Sequence, residues 1–174
     1  MEQIKIENTL DKYFQEAWEL YESSFPLEER RQFDSQVKLF KNEKYNFDVL
    51  IKEGVFIGFL MWWEFDNLRF IEYFSTVQHI RNQGLGKRII EKFIKRSQKR
   101  ILLEVELPES DIQRRRINFY ERLGFQLNAH YYEVPPMHEG FSALELRIMS
   151  FPNSISEKDV RNFIEHYHPI IFTD

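Results

Sequence analysis

Residues 69–107 read RFIEYFSTVQHIRNQGLGKRIIEKFIKRSQKRILLEVEL, and the fold turns on them. Arg69–Val77 is rich in aromatic and β-branched side chains, as a strand is. After Gly84 the period changes. Leu85, Ile89, Ile90, Phe93 and Ile94 recur at helical spacing, with Lys and Arg between them. Ile101–Leu107 is strand-like again and stops before Pro108. Strand, helix and strand in that order predict two parallel neighbours joined by a right-handed crossover. The turn between the first strand and the helix is Arg81-Asn82-Gln83-Gly84-Leu85-Gly86-Lys87. Glycine lets backbone approach a ligand closely, and the free N–H groups of a first helical turn attract an anion such as a pyrophosphate. Lys87 and Arg88 add charge. The spacing matches neither a P-loop nor GxGxxG, and a plain tight turn would carry the same glycines.

Working outward, residues 3–7 alternate as a strand. Asp11 is placed to cap a helix through Ser24, with Phe14, Trp18, Tyr21 and Phe25 at core spacing. Pro26 separates it from a second, charged helix, Leu27–Lys41. Phe47–Lys52 and Val55–Glu64 precede the strand at 69–77 in an antiparallel meander, with turns at Glu53-Gly54 and Asp66-Asn67. Downstream, residues 111–123 read as a helix closed by Gly124. Gln126–Val134 and Ala143–Phe151 are strand-like around Pro135-Pro136, and Ser156 caps a last helix through Tyr167. The order β-α-α-β-β-β-α-β-α-β-β-α predicts a mixed α+β fold, one domain over residues 1–174.

Composition narrows the classes. Of 174 residues 43% are apolar and 16% aromatic, enough for a core and against disorder. Cysteine is absent, which excludes disulfides, thiolate metal sites and a cysteine nucleophile. His79, His130, His138, His166 and His168 have no metal spacing, so no metal is expected. The longest apolar run, Val55 to Trp63, is far short of a membrane span, and the first ten residues have no signal-peptide core. A cytoplasmic protein away from membranes is the expectation. The net charge of −4 divides into −6 over residues 1–80, +6 over 81–122 and −4 over 123–174. A basic middle between acidic flanks suits a polyanion in the middle and a cation beside it, although ordinary solvated faces look the same.

Arg81-x-x-Gly84-x-Gly86, after a strand and before an amphipathic helix, resembles the acetyl-CoA signature of the GCN5-related N-acetyltransferases. Asn118-Phe119-Tyr120-Glu121-Arg122-Leu123-Gly124-Phe125 resembles the same family's (F/L)-Y-x-x-x-G-F segment. Tyr120 lies 34 residues after Gly86, with one helix and one strand between. The match covers about residues 68–126, which the resemblance makes the cofactor-binding core. It implies a twisted mixed sheet of about seven strands flanked by helices, with the parallel pair splayed in the middle. It also implies acetyl-CoA as co-substrate, held by backbone near Ser75 and Thr76 and by Arg81, Asn82, Gln83, Gly84, Leu85, Gly86 and Lys87. Gln113 stands where the family often has a cofactor-contacting Asn, and Asn118 joins the expected cofactor contacts. Tyr120 aligns with the family's general acid; on residue pattern alone it is equally a core aromatic.

The general base is open between Glu72, on the strand leading to the anion turn, and Glu104, on the next strand. A water chain, or capture of an already neutral amine, would need neither. A carboxylate in an apolar strand has its pKa raised, which suits it to take a proton from an ammonium. Three departures from the family pattern, Gln78, Gln113 and Arg116, together with extra length after Glu104, predict a remodelled loop near Glu106–Asp111. Of Arg114, Arg115 and Arg116, at least two are expected in solvent. Glu16, Glu19, Glu22, Glu28 and Glu29 upstream, with Tyr131, Tyr132, Glu133 and Met137 downstream, would wall the acceptor site and suit a cationic amine. Of Trp62 and Trp63, at most one faces that site. The resemblance therefore implies an N-acetyltransferase that lets a primary amine of a small molecule or peptide attack acetyl-CoA directly in a ternary complex. It also allows a homodimer. Two readings of other classes stand beside it. One is a catalytically inactive CoA-binding sensor or subunit. The other is a nucleic-acid-binding domain, against which weigh a pI near 5.8 and the lack of a nucleic-acid motif.

Overall fold

One extra residue in a strand sets the architecture. Val55–Glu64 (β3) and Leu68–Thr76 (β4) run antiparallel, with Met61 opposite Tyr73 but Trp62 opposite Ile71. Glu72 is the unmatched residue of a β-bulge, and a bulge bends its strand. On its other side β4 runs parallel to Arg100–Val105 (β5), pairing only from Leu68↔Arg100 to Ile71↔Leu103. Beyond that point the two strands separate. This is the splay expected in the middle of the sheet.

A computed structural model describes residues 1–173; Asp174, the last residue of the expected domain, lies outside them. Glu2–Lys5 (β1) and Tyr45–Lys52 (β2) extend the antiparallel meander on the β3 side. On the β5 side, Leu144–Phe151 (β8) pairs antiparallel to β5. Gln126–Leu127 (β6) and Tyr132–Val134 (β7) both pair with β8. The sheet runs β1-β2-β3-β4-β5-β8-β6, with β7 beside β8. The sequence predicts one strand over 126–134; the structure divides it at Asn128. The Asn128 side-chain amide donates to Ile148 O (3.0 Å) and Ser150 Oγ (2.9 Å), and its carbonyl accepts from Ile155 N (2.9 Å).

The helices cover both faces. Phe14–Ser24 (α1) and Glu157–Ile171 (α5) cover one face, where Tyr21, Trp63, Phe70, Tyr73 and Phe163 share a core. Leu85–Lys95 (α3) and Asp111–Glu121 (α4) cover the other, with Ile71, Ile90, Phe93, Leu103 and Tyr120. α5 runs on past Tyr167, the expected end, through Pro169.

Two expectations near the N-terminus are corrected. Asp11 does not cap α1, which starts at Phe14. Its carboxylate instead accepts from the backbone N–H groups of Glu7 (2.6 Å) and Asn8 (3.1 Å), closing a turn. The helix expected over 27–41 is a 3-10 turn at Leu27–Glu29 and a short helix, Phe33–Leu39 (α2). The backbone between them is extended at Arg30 and Gln32. That break lets Arg31 point inward, where a continuous amphipathic helix would not send it.

Gly58 on β3 sits opposite Thr76 at the end of β4. A Cβ there would come within 3.0 Å of the Ser75 carbonyl oxygen, closer than real Cβ atoms approach. Gly58→Ala is expected to cost about 1–3 kcal/mol through this overpacking. It should also shift Ser75 and Thr76. Urea unfolding measures the first effect, and backbone amide NMR shifts at 75–77 the second.

Candidate active site

The splay opens a cleft through the sheet. Ile71, Glu72, Tyr73 and Phe74 form its β4 wall, and Leu103, Glu104, Val105 and Glu106 its β5 wall. Tyr120 closes it from the α4 side. Glu29, Met137 and Leu146 close it from the other face.

At one end of β4 lies the glycine turn. Asn82 and Gly84 both have left-handed backbone, φ 65° and 72°. At Gly84 this conformation is nearly free of cost, and it turns the chain into α3. No side chain caps α3, so the N–H groups of its first turn are without partners inside the helix and face outward with the positive end of its dipole. Arg81 does not reach out: its Nε donates to the Thr76 carbonyl (3.1 Å) and braces the turn. Gln83 likewise donates to His79 O (3.0 Å). Gly86 stands beside Phe119; an added Cβ would lie in ordinary contact with that ring, at 3.7 Å. The two sequence segments 34 residues apart therefore meet here. Lys87 pairs loosely with Glu91 (3.7 Å).

Ser75 is buried, and its hydroxyl exchanges a 2.8 Å hydrogen bond with Ser24. Ser75 and Thr76 lie on the stretch of β4 past the last β5 pairing, so their strand has a free edge toward the cleft. Asn118 is exposed on α4. Gln113 is engaged elsewhere: its side-chain oxygen accepts from the N–H groups of Ser110 (2.7 Å) and Glu109 (3.0 Å), completing a capping box with Ser110. The sequence shows this pattern too, since Ser110 precedes Gln113 by three residues.

The glutamates divide by partner. Glu72 is buried with both oxygens occupied, one ion-paired to Arg31 and the other accepting from Trp63 Nε1 (2.7 Å). Glu104 lies on β5 at the cleft and accepts from the Tyr132 hydroxyl. Burial raises its pKa to about 8, against the lowering effect of that hydrogen bond. Glu29 is pushed up to about 7, first by burial and then by the nearby Glu106 carboxylate. Glu106 is ion-paired with Arg116, which turns inward, whereas Arg114 and Arg115 stay exposed. Tyr120 is buried against Phe119 and Phe125, and burial raises its phenol to about 12. It keeps its proton at neutral pH.

Of the expected acceptor wall, Glu29, Met137 and Tyr132 reach the cleft or its carboxylate. Glu16, Glu19, Glu22 and Glu28 are exposed, and Tyr131 and Glu133 lie in an outer groove. Trp63 serves Glu72, while Trp62 packs on Phe93 over the opposite face. His138 Nε2 lies 2.8 Å from Arg30 O and ties the loop after β7 to the segment before α2. Sequence reading missed Arg31, Glu106 and His168. Arg31 has no local signal, being one of many charges in a segment read as helix surface.

The family profile described as "Acetyltransferase (GNAT) family" matches residues 10–125, which include both segments at this cleft. The chain belongs to the GNAT acetyltransferase family. A GNAT-family chain from Bacteroides thetaiotaomicron, named as an acetyltransferase, is 32% identical and superposes with a TM-score of 0.90, covering 99% of this chain and 98% of that one. The Bacillus subtilis (strain 168) protein YjbC, which carries an acetyltransferase name, is 36% identical over 104 residues. That alignment covers 59% of this chain and 52% of YjbC, so the match spans about half the length of this curated relative. A ribosomal-protein-alanine N-acetyltransferase from Escherichia coli shares the fold at 20% identity, with a TM-score of 0.59 over 91% of this chain and 98% of its own. The splayed sheet is thus the GNAT fold. Among the described residues no group of His, Asp and Glu is arranged to hold a metal ion, and no helix is long and apolar enough to cross a membrane.

Proposed function

We propose that this GNAT chain transfers an acetyl group from acetyl-CoA to the primary amine of a cationic acceptor, which attacks directly while both are bound. The observation that carries the reading is the splay of β4 from β5, which sets Glu104 and Tyr120 on the walls of one cleft beside an uncapped helix N-terminus. Acetyl-CoA would supply the activated acetyl thioester. The backbone N–H groups of residues 84–87 suit its pyrophosphate, and the free edge of β4 at Ser75 and Thr76 suits an extended, amide-bearing arm.

Glu104 is the base in this reading. Its environment disfavours its charge, so it holds a proton far better than an exposed glutamate does. Glu72 is assigned the structural role of holding Arg31. Tyr120 is the acid: protonated at neutral pH, it donates a hydrogen bond or a proton where thiolate charge develops. The acceptor enters from the face of Glu29, Glu106 and Met137, where the carboxylates favour a cation.

Thermal unfolding tests the cofactor assignment. Acetyl-CoA at about 100 times its dissociation constant should add roughly 2.7 kcal/mol. For a chain of this size that raises Tm by roughly 5–10 °C. ATP and NAD should not reproduce the shift; an equal rise with ATP would remove the assignment. Thiol release from acetyl-CoA in the presence of a panel of di- and polyamines then tests transfer. Tyr120→Phe should slow that release about 10²-fold or more with little change in the thermal shift. A thermal shift in the unmodified protein without thiol release from any amine would favour the inactive CoA-binding reading.

A further inference from the structure

Glu104 does not end at the cleft. Its carboxylate meets the hydroxyl of Tyr132 on β7, and that same oxygen lies 2.8 Å from Nε2 of His168 on α5. Tyr132 is fully buried, so its hydroxyl has no water of its own and is satisfied wholly by these two groups. His168 is half-buried and stands edge-on to the Tyr132 and Phe163 rings. Its outer side lines a surface groove with Tyr131, Glu133 and Phe172, on the far side of β7 from the cleft. Three proton-carrying side chains from three elements thus form one file from the cleft to solvent.

We propose that Tyr132 and His168 are a proton exit for Glu104, carrying the acceptor amine's proton out through the α5 side of the sheet. The source of the proton rests on the acetyl-transfer reading; the wiring does not. In the step, an N–H bond of the acceptor ammonium breaks, the electron pair stays on nitrogen, and Glu104 takes the proton. Glu104 O–H then passes its proton to Tyr132 Oη as the Tyr132 O–H proton passes to His168 Nε2. Glu104 is again a carboxylate and Tyr132 again a neutral phenol. His168, now an imidazolium, releases a proton from Nδ1 to water. Two bound substrates would fill the cleft, and an exit behind the base would remove the proton without their leaving it.

The surroundings suit this direction. Glu104 feels Glu72 and Glu29, which hold its proton on, and Arg31, which opposes them. Arg116, Glu106, Tyr73 and Tyr120 complete the charged and titratable lining of the cleft. His168 shares its groove with Tyr131 and Glu133. Burial lowers its pKa to about 4, so it is neutral at pH 7 with a lone pair to offer, and it passes a proton on rather than storing it.

The file has two hydrogen-bond polarities, and these give the test. With Glu104 ionised, Tyr132 donates to Glu104 and His168 carries its proton on Nε2. With Glu104 protonated, Tyr132 donates to Nε2 and the imidazole proton sits on Nδ1. ¹⁵N-histidine NMR of the full chain, with His168 assigned by its loss in His168→Gln, should show a tautomer change as Glu104 titrates near pH 8. Tyr132→Phe, which keeps the buried ring, should abolish that change. A His168 tautomer that stays constant through Glu104's titration, or changes equally in Tyr132→Phe, overturns the proposal. In amine acetylation, Tyr132→Phe and His168→Gln should each lower kcat about tenfold or more with the KM for acetyl-CoA unchanged, and imidazole buffer should restore part of the His168→Gln loss. Unchanged kcat in both variants also overturns the exit. A tautomer switch in a protein that acetylates no amine supports the wiring and overturns the acetyl-transfer reading instead.

Discussion

Glu104→Gln is expected to lower amine acetylation about 10²–10⁴-fold while leaving the acetyl-CoA thermal shift in place. The amide fits the same site and still accepts from Tyr132, but it takes no proton. Its effect on pH dependence is equally specific. A base must be ionised to work, and this one has its pKa raised to about 8 by burial. kcat/KM should therefore rise about tenfold per pH unit below 8 and level off above it. The Gln variant should lack that limb. Stability should run the opposite way. Because the folded pKa lies above the usual 4.5, the folded chain holds this proton more tightly than the unfolded chain. That contribution is complete below about pH 4.5 and is lost as pH rises through 8. Glu104→Gln should then be the more stable protein above pH 8, by an amount on the order of a few kcal/mol. Tm measured at pH 6 and pH 9 checks the sign. A Gln variant with full activity and an unaltered pH profile would remove Glu104 from the chemistry.

Arg31→Met is expected to cost about 3–5 kcal/mol of folding stability, the largest single effect away from the chemistry. The Arg31 and Glu72 side chains are 3% and 2% exposed, so the pair exists without water. Removing the guanidinium leaves Glu72 charged in the core, with the Trp63 indole as its one remaining donor. The site does not collapse around the loss, because the Arg31 backbone N–H is also held by the Tyr21 hydroxyl (2.7 Å). Glu72→Gln should also destabilise the fold, since its single amide oxygen can accept from Trp63 or from Arg31 but not both, and Arg31 is left without a counter-ion. Arg31→Met with Glu72→Leu should recover part of the loss, as buried pairs replaced together often do. Urea unfolding of the three variants measures this. A cost below about 1 kcal/mol for Arg31→Met would show that the pair is not held as described. The same series separates Glu72 from catalysis: as a structural group it should shift stability and leave the acid limb of the activity profile in place.

Much of this was legible in the chain. The helical period after Gly84, the strand before it and the strand at 101–107 specified a parallel crossover, and the crossover is there. The splay followed from family resemblance, and its local cause, the Glu72 bulge, had no sequence mark. The helix expected over 27–41 failed because apolar periodicity describes a surface helix, whereas Arg31 is drawn inward by a carboxylate on β4. The strand expected over 126–134 failed for a similar reason: Asn128 leaves the alternation to satisfy three polar groups on other elements. Gln113 carried a readable local signal, Ser110 three residues before it, that was read for its family position instead.

The sequence by itself determined the glycine turn and the segment that packs beside it. The glycine turn, the bare helix start and the Tyr120 segment are written in contiguous residues, because φ preference, helical period and capping act over a few positions. Only the tertiary structure decided which carboxylate is locked in an ion pair and which lines the cleft without one. Glu72 and Glu104 are equivalent on paper, both glutamates in apolar strands. Their difference comes from partners 41 residues away for Glu72, in Arg31, and 28 away for Glu104, in Tyr132, with His168 a further 36 beyond Tyr132. A buried charge takes its chemistry from whatever polar group the fold brings against it, and that distance in sequence hides the partner from any local reading.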